Sequence, residues 1–316
     1  MPIKKIFIAG HKGMVGSAIL RRLKQQTNNQ IVCISRSQLD LTDQNRVNKF
    51  FFKHQFDEVY IAAARVGGIY ANNKFPAEFI YHNLQIQNNL INAAYTSNIK
   101  KLLFLGSSCI YPKHSLQPIR EEYLLTGELE NTNEAYAIAK ISGLKMIEFY
   151  NKQYKVDFRA LMPTNLYGPN DNYHPLNSHV IPGLIRKFHE AKIANKKIVK
   201  VWGSGMPKRE FLYVDDLANA CTYIMDLSKK KFKDIAGPSS FLNVGSMQEF
   251  TIKKISSMIA NTVGFKGKIE FDNAFPDGTP RKLLDSKKIH TLGWSPKHDI
   301  VFGLNLAYKD FLKRNI

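Results

Sequence analysis

The residues with the clearest chemical potential are Tyr136 and Lys140, which lie four positions apart in the stretch NEAYAIAK at 133–140. The stretch predicts a helix, and side chains at this spacing share one helical face. A free tyrosine has a pKa of ~10, so proton transfer near neutrality requires a decrease of ~3 units, or ~4 kcal/mol. We expect the Lys140 cation to supply part of that decrease.

A Tyr-x3-Lys pair also occurs on exposed helices, so its chemical meaning depends on other groups. Ser107 provides one such group, because GSSC at 106–109 follows the apolar run at 101–105, which predicts a strand. Ser107, Tyr136 and Lys140 in this order resemble the proton-handling set of the short-chain dehydrogenase/reductase superfamily. That resemblance implies an oxidoreductase that uses a nicotinamide cofactor.

The N-terminal segment predicts a dinucleotide-binding turn. A β-rich run at residues 3–9 precedes Gly10, Gly13 and Gly16, and a helical stretch begins near Ser17. Glycines at these positions allow a tight turn and a close approach of the backbone to a pyrophosphate, which then faces the helix N-terminus. The Gly-x2-Gly-x2-Gly spacing resembles that of extended short-chain enzymes.

The second predicted strand, at residues 30–35, ends at Arg36, where an enzyme that prefers NAD would usually carry an acid. A cation at this position suits a 2′-phosphate, and Lys12 in the glycine loop is a possible second partner. We therefore predict NADPH as the cofactor. We expect Asp40 and Leu41 to lie near the adenine.

Strands predicted at residues 58–62, 101–105 and 158–162 alternate with helices, including one at about 76–95. This alternation predicts an α/β fold of the Rossmann type, a doubly wound parallel sheet with ligands outside the carboxyl ends of its strands. Composition changes near residue 170. We expect a cofactor lobe at 1–170 with returns near 210–245, a smaller interleaved C-terminal substrate lobe at 171–316, and a hairpin-like piece around 201–205.

Composition restricts the class of protein. The 316 residues are 44% hydrophobic and 22% charged, which is typical of a globular protein, and no run approaches the ~20 apolar residues of a membrane span. Three cysteines in unrelated contexts fit a reducing compartment, and none has metal-ligand spacing. The net charge of +19 comes from scattered lysines. We expect a cytoplasmic protein without a nucleic-acid, membrane or metal partner.

Along nearly its whole length the chain resembles the GDP-L-fucose synthase family. The motifs that carry this resemblance lie at residues 7–17, 106–112, 133–140, 162–169, 177–182, 202–205 and 276–282. The resemblance implies that a GDP-linked 4-keto-6-deoxy sugar is epimerised at C3 and C5 and then reduced at C4. Both carbons are adjacent to one ketone, so a single acid/base pair can act at each.

The resemblance also implies residue roles. Cys109 would remove the α-proton as a thiolate and His179 would return a proton on the opposite ring face, while Ser107 and Tyr136 stabilise the enolate oxygen. NADPH would then reduce C4, with Tyr136 as the proton donor and Lys140 holding the nicotinamide ribose. The remaining implied cofactor contacts are Met14, Val15, Leu105, Gly106, Pro163, Asn165, Leu166 and His179, and the implied GDP contacts are Lys187, Trp202, Arg209 and Asp277.

Two departures from the family pattern leave alternatives open. Ala135 stands where the family often has proline, and the bulky Met247 follows Gly245-Ser246 near the substrate lobe, where a small residue is usual. The substrate could therefore be a GDP-linked 4-keto heptose.

A 4-epimerase shares the fold and the Tyr-x3-Lys pair. A dehydratase is disfavoured because Ser108-Cys109 replaces its Asp-Glu, and a non-catalytic NADP sensor would not need the proton-handling residues. The resemblance also implies a homodimer that packs through helices near residues 80–95 and 136–150.

Overall fold

The structure is a computed structural model that describes residues 3–26, 29–175, 177–275 and 277–314. Pro276, at the start of one of the family motifs, lies outside the described residues. The strands are β1 Lys5–Ala9, β2 Gln30–Cys33, β3 Glu58–Ile61, β4 Lys101–Leu105, β5 Asp157–Pro163, β6 Asn165–Tyr167, β7 Ile198–Trp202, β8 Lys208–Tyr213, β9 Phe241–Val244, β10 Glu249–Thr251, β11 Lys268–Asp272 and β12 Arg281–Lys282. The helices are α1 Met14–Gln25, α2 Gln44–His54, α3 Ile69–Lys74, α4 Pro76–Thr96, α5 Glu134–Tyr154, α6 Val180–Ile193, α7 Val214–Asp226, α8 Lys229–Ala236, α9 Ile252–Val263, α10 Lys287–Thr291 and α11 Ile300–Lys313.

A six-stranded sheet in the order β2-β1-β3-β4-β5-β9 forms the centre of the first lobe. All its neighbouring strands pair in parallel, and most residues of its central strands are buried. This burial explains the near-continuous apolar runs in the sequence, because helices cover both faces of such a sheet. The predicted doubly wound parallel sheet is confirmed.

The second lobe contains two small sheets. In one, β8 pairs with β10, β12 and β6; in the other, β7 pairs in parallel with β11. The hairpin-like piece predicted around residues 201–205 is therefore wrong. Gly203 and Gly205, with φ of +81° and +77°, turn the chain away after β7, so β7 takes a partner that is distant in sequence.

Three apolar cores hold these layers together. One core lies on each face of the parallel sheet, and the third joins α6, α9 and α11 to β7 and β8. The chain returns to the first lobe more than once: α7 packs on α1, β9 forms the edge of the large sheet, and Ile289 and Trp294 join a core of that sheet. Within the described residues, no helix combines the length and apolar character needed to cross a bilayer.

Arg159 on β5 is completely buried and ties the sheet to the end of α7. Its guanidinium forms a two-point ion pair with Asp157, with both N–O distances at 2.7 Å. It also donates to the carbonyl oxygens of Ile224 and Leu227. Loss of the guanidinium would leave a carboxylate and two carbonyl groups without these donors.

We predict that Arg159→Met lowers the free energy of unfolding by about 3 to 5 kcal/mol, because it breaks a buried ion pair and leaves its acceptors unsatisfied. Chemical denaturation with cofactor absent would measure the change. Lys268→Met is the control, because the Lys268 side chain is 73% exposed beside Glu270. Loss of such a surface pair should cost less than about 1 kcal/mol. Equal effects of the two substitutions would contradict the prediction.

Candidate active site

The loop between β1 and α1 requires glycine at two of its three predicted positions. Gly10 has a φ of +88°, and a Cβ there would lie 2.7–2.8 Å from the backbone of Ala62 and Ala63. A Cβ on Gly16 would lie 2.1 Å from the carbonyl oxygen of Gly10. Gly13 is different, because a Cβ there would make only an ordinary contact at 3.5 Å. The loop is thus folded tightly onto the start of α1.

The start of α1 fits an anionic ligand. Neither a side-chain cap nor an acidic residue occupies its first turn, so Met14 and Val15 begin a helix whose dipole favours negative charge. Nδ1 of His11 in the same loop is buried without a hydrogen-bond partner. Burial and the neighbouring Lys12 both lower the pKa of His11, so additional positive charge is disfavoured there. These features fit a dinucleotide pyrophosphate.

Arg36 lies just beyond the carboxyl end of β2, as predicted, with its side chain 80% exposed. Its Nε is 4.0 Å from a carboxylate oxygen of Asp40, too long for a strong bond, so the guanidinium retains donors for a ligand. Asp40 instead accepts hydrogen bonds from the amide and hydroxyl of Thr42, which lower the pKa of its carboxyl. Leu41 packs on the core of the large sheet.

Ser107 and Cys109 lie immediately after β4, at the carboxyl edge of the parallel sheet. Residues 108–110 form a short 3₁₀ turn, and the Ser107 hydroxyl caps it by accepting from the Cys109 amide at 3.3 Å. Both side chains are half-buried. Lys282 donates to the Cys109 sulfur at 3.7 Å. The thiol thus faces a cation from a distant part of the chain.

Tyr136 and Lys140 lie in the first two turns of α5, as the sequence predicts. The expected decrease in the pKa of Tyr136 is not observed. Burial raises it instead, the nearby Cys109 adds to the increase, and a side-chain hydrogen bond with Ser107 opposes it. The phenol therefore stays protonated at neutral pH.

The reason for this difference is the position of the Lys140 ammonium. It donates to the carbonyl oxygen of Leu105 at 2.7 Å and lies 5.8 Å from the centre of the Tyr136 ring. Burial lowers the pKa of Lys140 to about 7, so near neutrality it carries only part of a positive charge. Lys140 therefore cannot offset the burial of the phenol in this arrangement.

His179 directly precedes α6, at the end of the segment that joins the two lobes. Its surface is accessible, yet surrounding protein lowers its pKa by desolvation, as expected for a side chain in a cleft. The segment is tied to the loop after β3, because the Gly68 amide donates to the Asn177 carbonyl at 3.2 Å. The segment that carries His179 is therefore fixed against the loop that follows β3.

The four predicted GDP contacts form one cluster in the second lobe. The Lys187 ammonium lies 5.2 Å from the centre of the Trp202 ring, and Trp202 is 57% exposed. The Asp277 carboxylate accepts from the Ser204 amide and hydroxyl at 2.9 and 2.6 Å, and it acts electrostatically on Arg209. An exposed aromatic ring flanked by cations and a carboxylate suits a nucleotide base and its phosphates.

The remaining predicted cofactor residues line the carboxyl ends of β4 and β5. Leu105 and Pro163 are the last residues of these strands, and a Cβ on Gly106 would lie 2.2 Å from the Met162 sulfur. Asn165 and Leu166 belong to β6, where the Asn165 amide donates to the Glu210 carbonyl at 2.9 Å. Their contacts with a cofactor stay predictions.

Sequence reasoning missed three residues that shape this region. Lys282 lies in the motif at residues 276–282, which carries the family resemblance but implies no role for this residue. Glu210 follows Arg209 and is completely buried, where it accepts from the amides of Met247 at 2.6 Å and Leu284 at 3.0 Å. Phe275 stacks on Trp202 with ring centres 4.6 Å apart. The only available signal was their proximity to recognised motifs.

No group of three or more His, Cys, Asp or Glu side chains suited to a metal occurs in the described part of the chain. Two cavities among these residues lie elsewhere. One, of about 240 Å³, lies between β8 and residues 296–300, and the other, of about 420 Å³, lies beside residues 112–128.

Comparisons with known proteins agree with this geometry. Residues 6–236 match the NAD dependent epimerase/dehydratase family. The chain is 52% identical to the GDP-L-fucose synthase of Escherichia coli, covering 99% of this chain and 98% of that one. It is 55% identical to the putative GDP-L-fucose synthase 2 of Arabidopsis thaliana, with 98% and 92% coverage. A solved GDP-mannoheptose C4 reductase from Campylobacter jejuni with NADP bound is 38% identical, with a TM-score of 0.89 and 99% coverage of both chains.

We predict that Arg36→Asp weakens NADPH binding about 10- to 100-fold while leaving NADH binding unchanged or stronger, because a charged hydrogen bond to the 2′-phosphate is replaced by repulsion. Fluorescence titration of both cofactors would measure the ratio. Lys53→Asp is the matched control, because it makes the same charge change on an exposed residue at the far end of α2. An unchanged NADPH-to-NADH ratio in Arg36→Asp would exclude this residue from cofactor selection.

Proposed function

Because the chain belongs to the NAD dependent epimerase/dehydratase family, and within it to the GDP-L-fucose synthases, we propose that it converts GDP-4-keto-6-deoxy-D-mannose to GDP-L-fucose. The reaction comprises epimerisation at C3 and C5 followed by reduction at C4. NADPH, when bound, supplies the hydride for the reduction.

The observation that carries this proposal is the arrangement around Cys109. Its amide donates to the Ser107 hydroxyl, and its thiol acts electrostatically on Tyr136. The thiol also contacts Lys282, on a strand that pairs with the strand of Arg209. A reductase of a 4-keto sugar needs Ser107, Tyr136 and Lys140 alone. A thiol in the same place supplies a base, which reduction does not require.

For epimerisation, we assign proton removal to Cys109 and proton return to His179. When the α-proton leaves carbon, the electron pair moves to the C4 oxygen, where the Ser107 hydroxyl and the Tyr136 phenol donate hydrogen bonds to the enolate. The increased pKa of Tyr136 supports this role, because the phenol stays protonated. The lowered pKa of His179 favours a neutral imidazole, which must gain a proton before it can return one.

For reduction, we assign protonation of the C4 oxygen to Tyr136. Lys140 lies one helical turn beyond it and binds the Leu105 carbonyl, at the edge where the nicotinamide ribose is expected. A lysine with a pKa of about 7 can pass a proton to its surroundings near neutrality. The glycine loop, Arg36 and the ends of β4 and β5 would hold and orient the cofactor.

The alternative substrate, a GDP-linked 4-keto heptose, is less well supported. The heptose reductase shares fewer residues with this chain than the fucose synthases do. Met247 stays the feature that favours it. This residue has a φ of +57° and its amide donates to the Glu210 carboxylate, so the position of its backbone is fixed.

We expect incubation with GDP-4-keto-6-deoxy-D-mannose in deuterated water to place deuterium at C3 and C5, with reduction at C4 when NADPH is added. Cys109→Ser should abolish the exchange, because a hydroxyl is a far weaker base, while NADPH binding persists. NMR of the sugar nucleotide would locate the deuterium.

Cys33→Ser is the control for this experiment, because Cys33 lies on β2 in the core of the cofactor lobe. It should retain exchange at both carbons. Reduction without exchange by the unmodified enzyme would leave only a ketoreductase. Undiminished exchange in Cys109→Ser would exclude the thiol as the base.

We also propose a homodimer and a cytoplasmic location. The three cysteines are unpaired, which supports a reducing compartment. For the dimer, the support is the pair formed by α4 and α5, which pack side by side and still expose Tyr81, Phe149 and Tyr154 at 59%, 55% and 40%. Apolar residues on the outer face of a helix pair favour a second pair opposite.

We predict that Phe149→Asp converts the dimer to a monomer, because it places a charge in the apolar interface. Light scattering would measure the mass of each variant in solution. Phe52→Asp makes the same change on α2, where the side chain is 78% exposed, and should leave the mass unaltered. A monomeric unmodified protein would contradict the dimer.

A further inference from the structure

The only cation whose contact with the Cys109 sulfur is within hydrogen-bond range, among the described residues, belongs to Lys282. The separation of Nζ and Sγ is 3.7 Å, and both side chains are half-buried. We propose that Lys282 is a positioning residue that holds Cys109 in its thiolate form for removal of the sugar α-protons. This inference rests on the proposed function of Cys109 as the base.

The thiol needs such a partner. An unperturbed cysteine has a pKa of ~8.5, so only a few per cent of it is ionised at neutral pH, and a nearby cation increases that fraction. The other groups that face Cys109 do not supply the charge. Ser107 is neutral, the Tyr136 phenol is protonated, and Lys140 is bound to the Leu105 carbonyl with a pKa of about 7.

The backbone around Lys282 is fixed from several sides. The next residue, Leu283, receives a hydrogen bond from the Ile119 amide at 2.7 Å and donates to the Gln117 side chain at 2.8 Å. The amide of Leu284 donates to buried Glu210 at 3.0 Å. These bonds join β12 both to the loop after Cys109 and to β8. The backbone from which the Lys282 side chain extends is thus held by these bonds.

The strand that carries Lys282 also connects the thiol to the GDP cluster. Lys282 and Arg209 are paired positions in the parallel strands β12 and β8, so their side chains project to the same side of the small sheet. A lysine at this place could instead contact only the diphosphate of the substrate. Only the first role changes the reactivity of the Cys109 thiol in the absence of substrate, so an experiment on that thiol can separate the two roles.

The proposed step balances in protons and electrons. Cys109 first releases its proton to solvent, and Lys282 keeps its own protons as it stabilises the negative sulfur. The thiolate then takes the proton from C3 or C5. An S–H bond forms as the C–H bond breaks, and the released electron pair moves to the C4 oxygen, held by Ser107 and Tyr136.

The test measures the pH dependence of Cys109 alkylation in the NADPH-loaded protein. Iodoacetamide is added over a range of pH, and peptide mass spectrometry reports modification at Cys109 separately from Cys33 and Cys221. We expect Lys282→Met to move the inflection about 1 pH unit higher, since loss of an adjacent cation disfavours the thiolate. Lys282→Arg, which retains the charge, should stay close to the unmodified protein.

An unchanged inflection in Lys282→Met would overturn the proposal. So would weaker GDP binding in this variant without any change in the alkylation profile, because the lysine would then serve only the diphosphate. Lys282→Gln provides a second neutral variant if Lys282→Met unfolds. Deuterium exchange by the unmodified enzyme tests the proposed function separately, so failure of that reaction is distinguishable from failure of the lysine's role.

Discussion

Parallel pairing of the central strands is the constraint on which the rest of the molecule depends. Because β1, β3, β4 and β5 run in the same direction, their carboxyl ends meet at one edge of the sheet, and each following turn delivers its side chains there. The glycine loop follows β1, and Ser107 and Cys109 follow β4. The phenol on α5 reaches the same edge, so residues far apart in sequence converge without long loops.

A second constraint is the attachment of the substrate lobe to that edge. Glu210 is buried between β8, the turn containing Met247 and the residues after β12, and burial raises its pKa to about 7 although three backbone amides and one hydroxyl oppose the increase. An acid held in this way stabilises the local geometry only while all its donors stay in place. The second lobe is therefore fixed to the lobe that carries the thiol by a polar core as well as by apolar packing.

The sequence allowed the parallel sheet, the glycine loop and the helix of Tyr136 to be predicted, because each depends on local periodicity or on a backbone requirement such as the positive φ of Gly10. It did not predict the pairing of β7 with β11, nor the contact between Lys282 and Cys109, since both join segments with no shared local pattern. The predicted decrease in the pKa of Tyr136 is wrong for a related reason. Spacing on a helix brings two side chains to one face, but it does not reveal that the Leu105 carbonyl competes for the lysine.

The repeated return of the chain to the first lobe has a consequence for how the protein is made. The core under the large sheet includes Leu217 and Ile224 of α7, and it is completed by Ile289 and Trp294. A ribosome must therefore synthesise most of the second lobe before the first one can close. Until then one apolar face of the sheet stays partly uncovered, which makes the incomplete chain prone to aggregation.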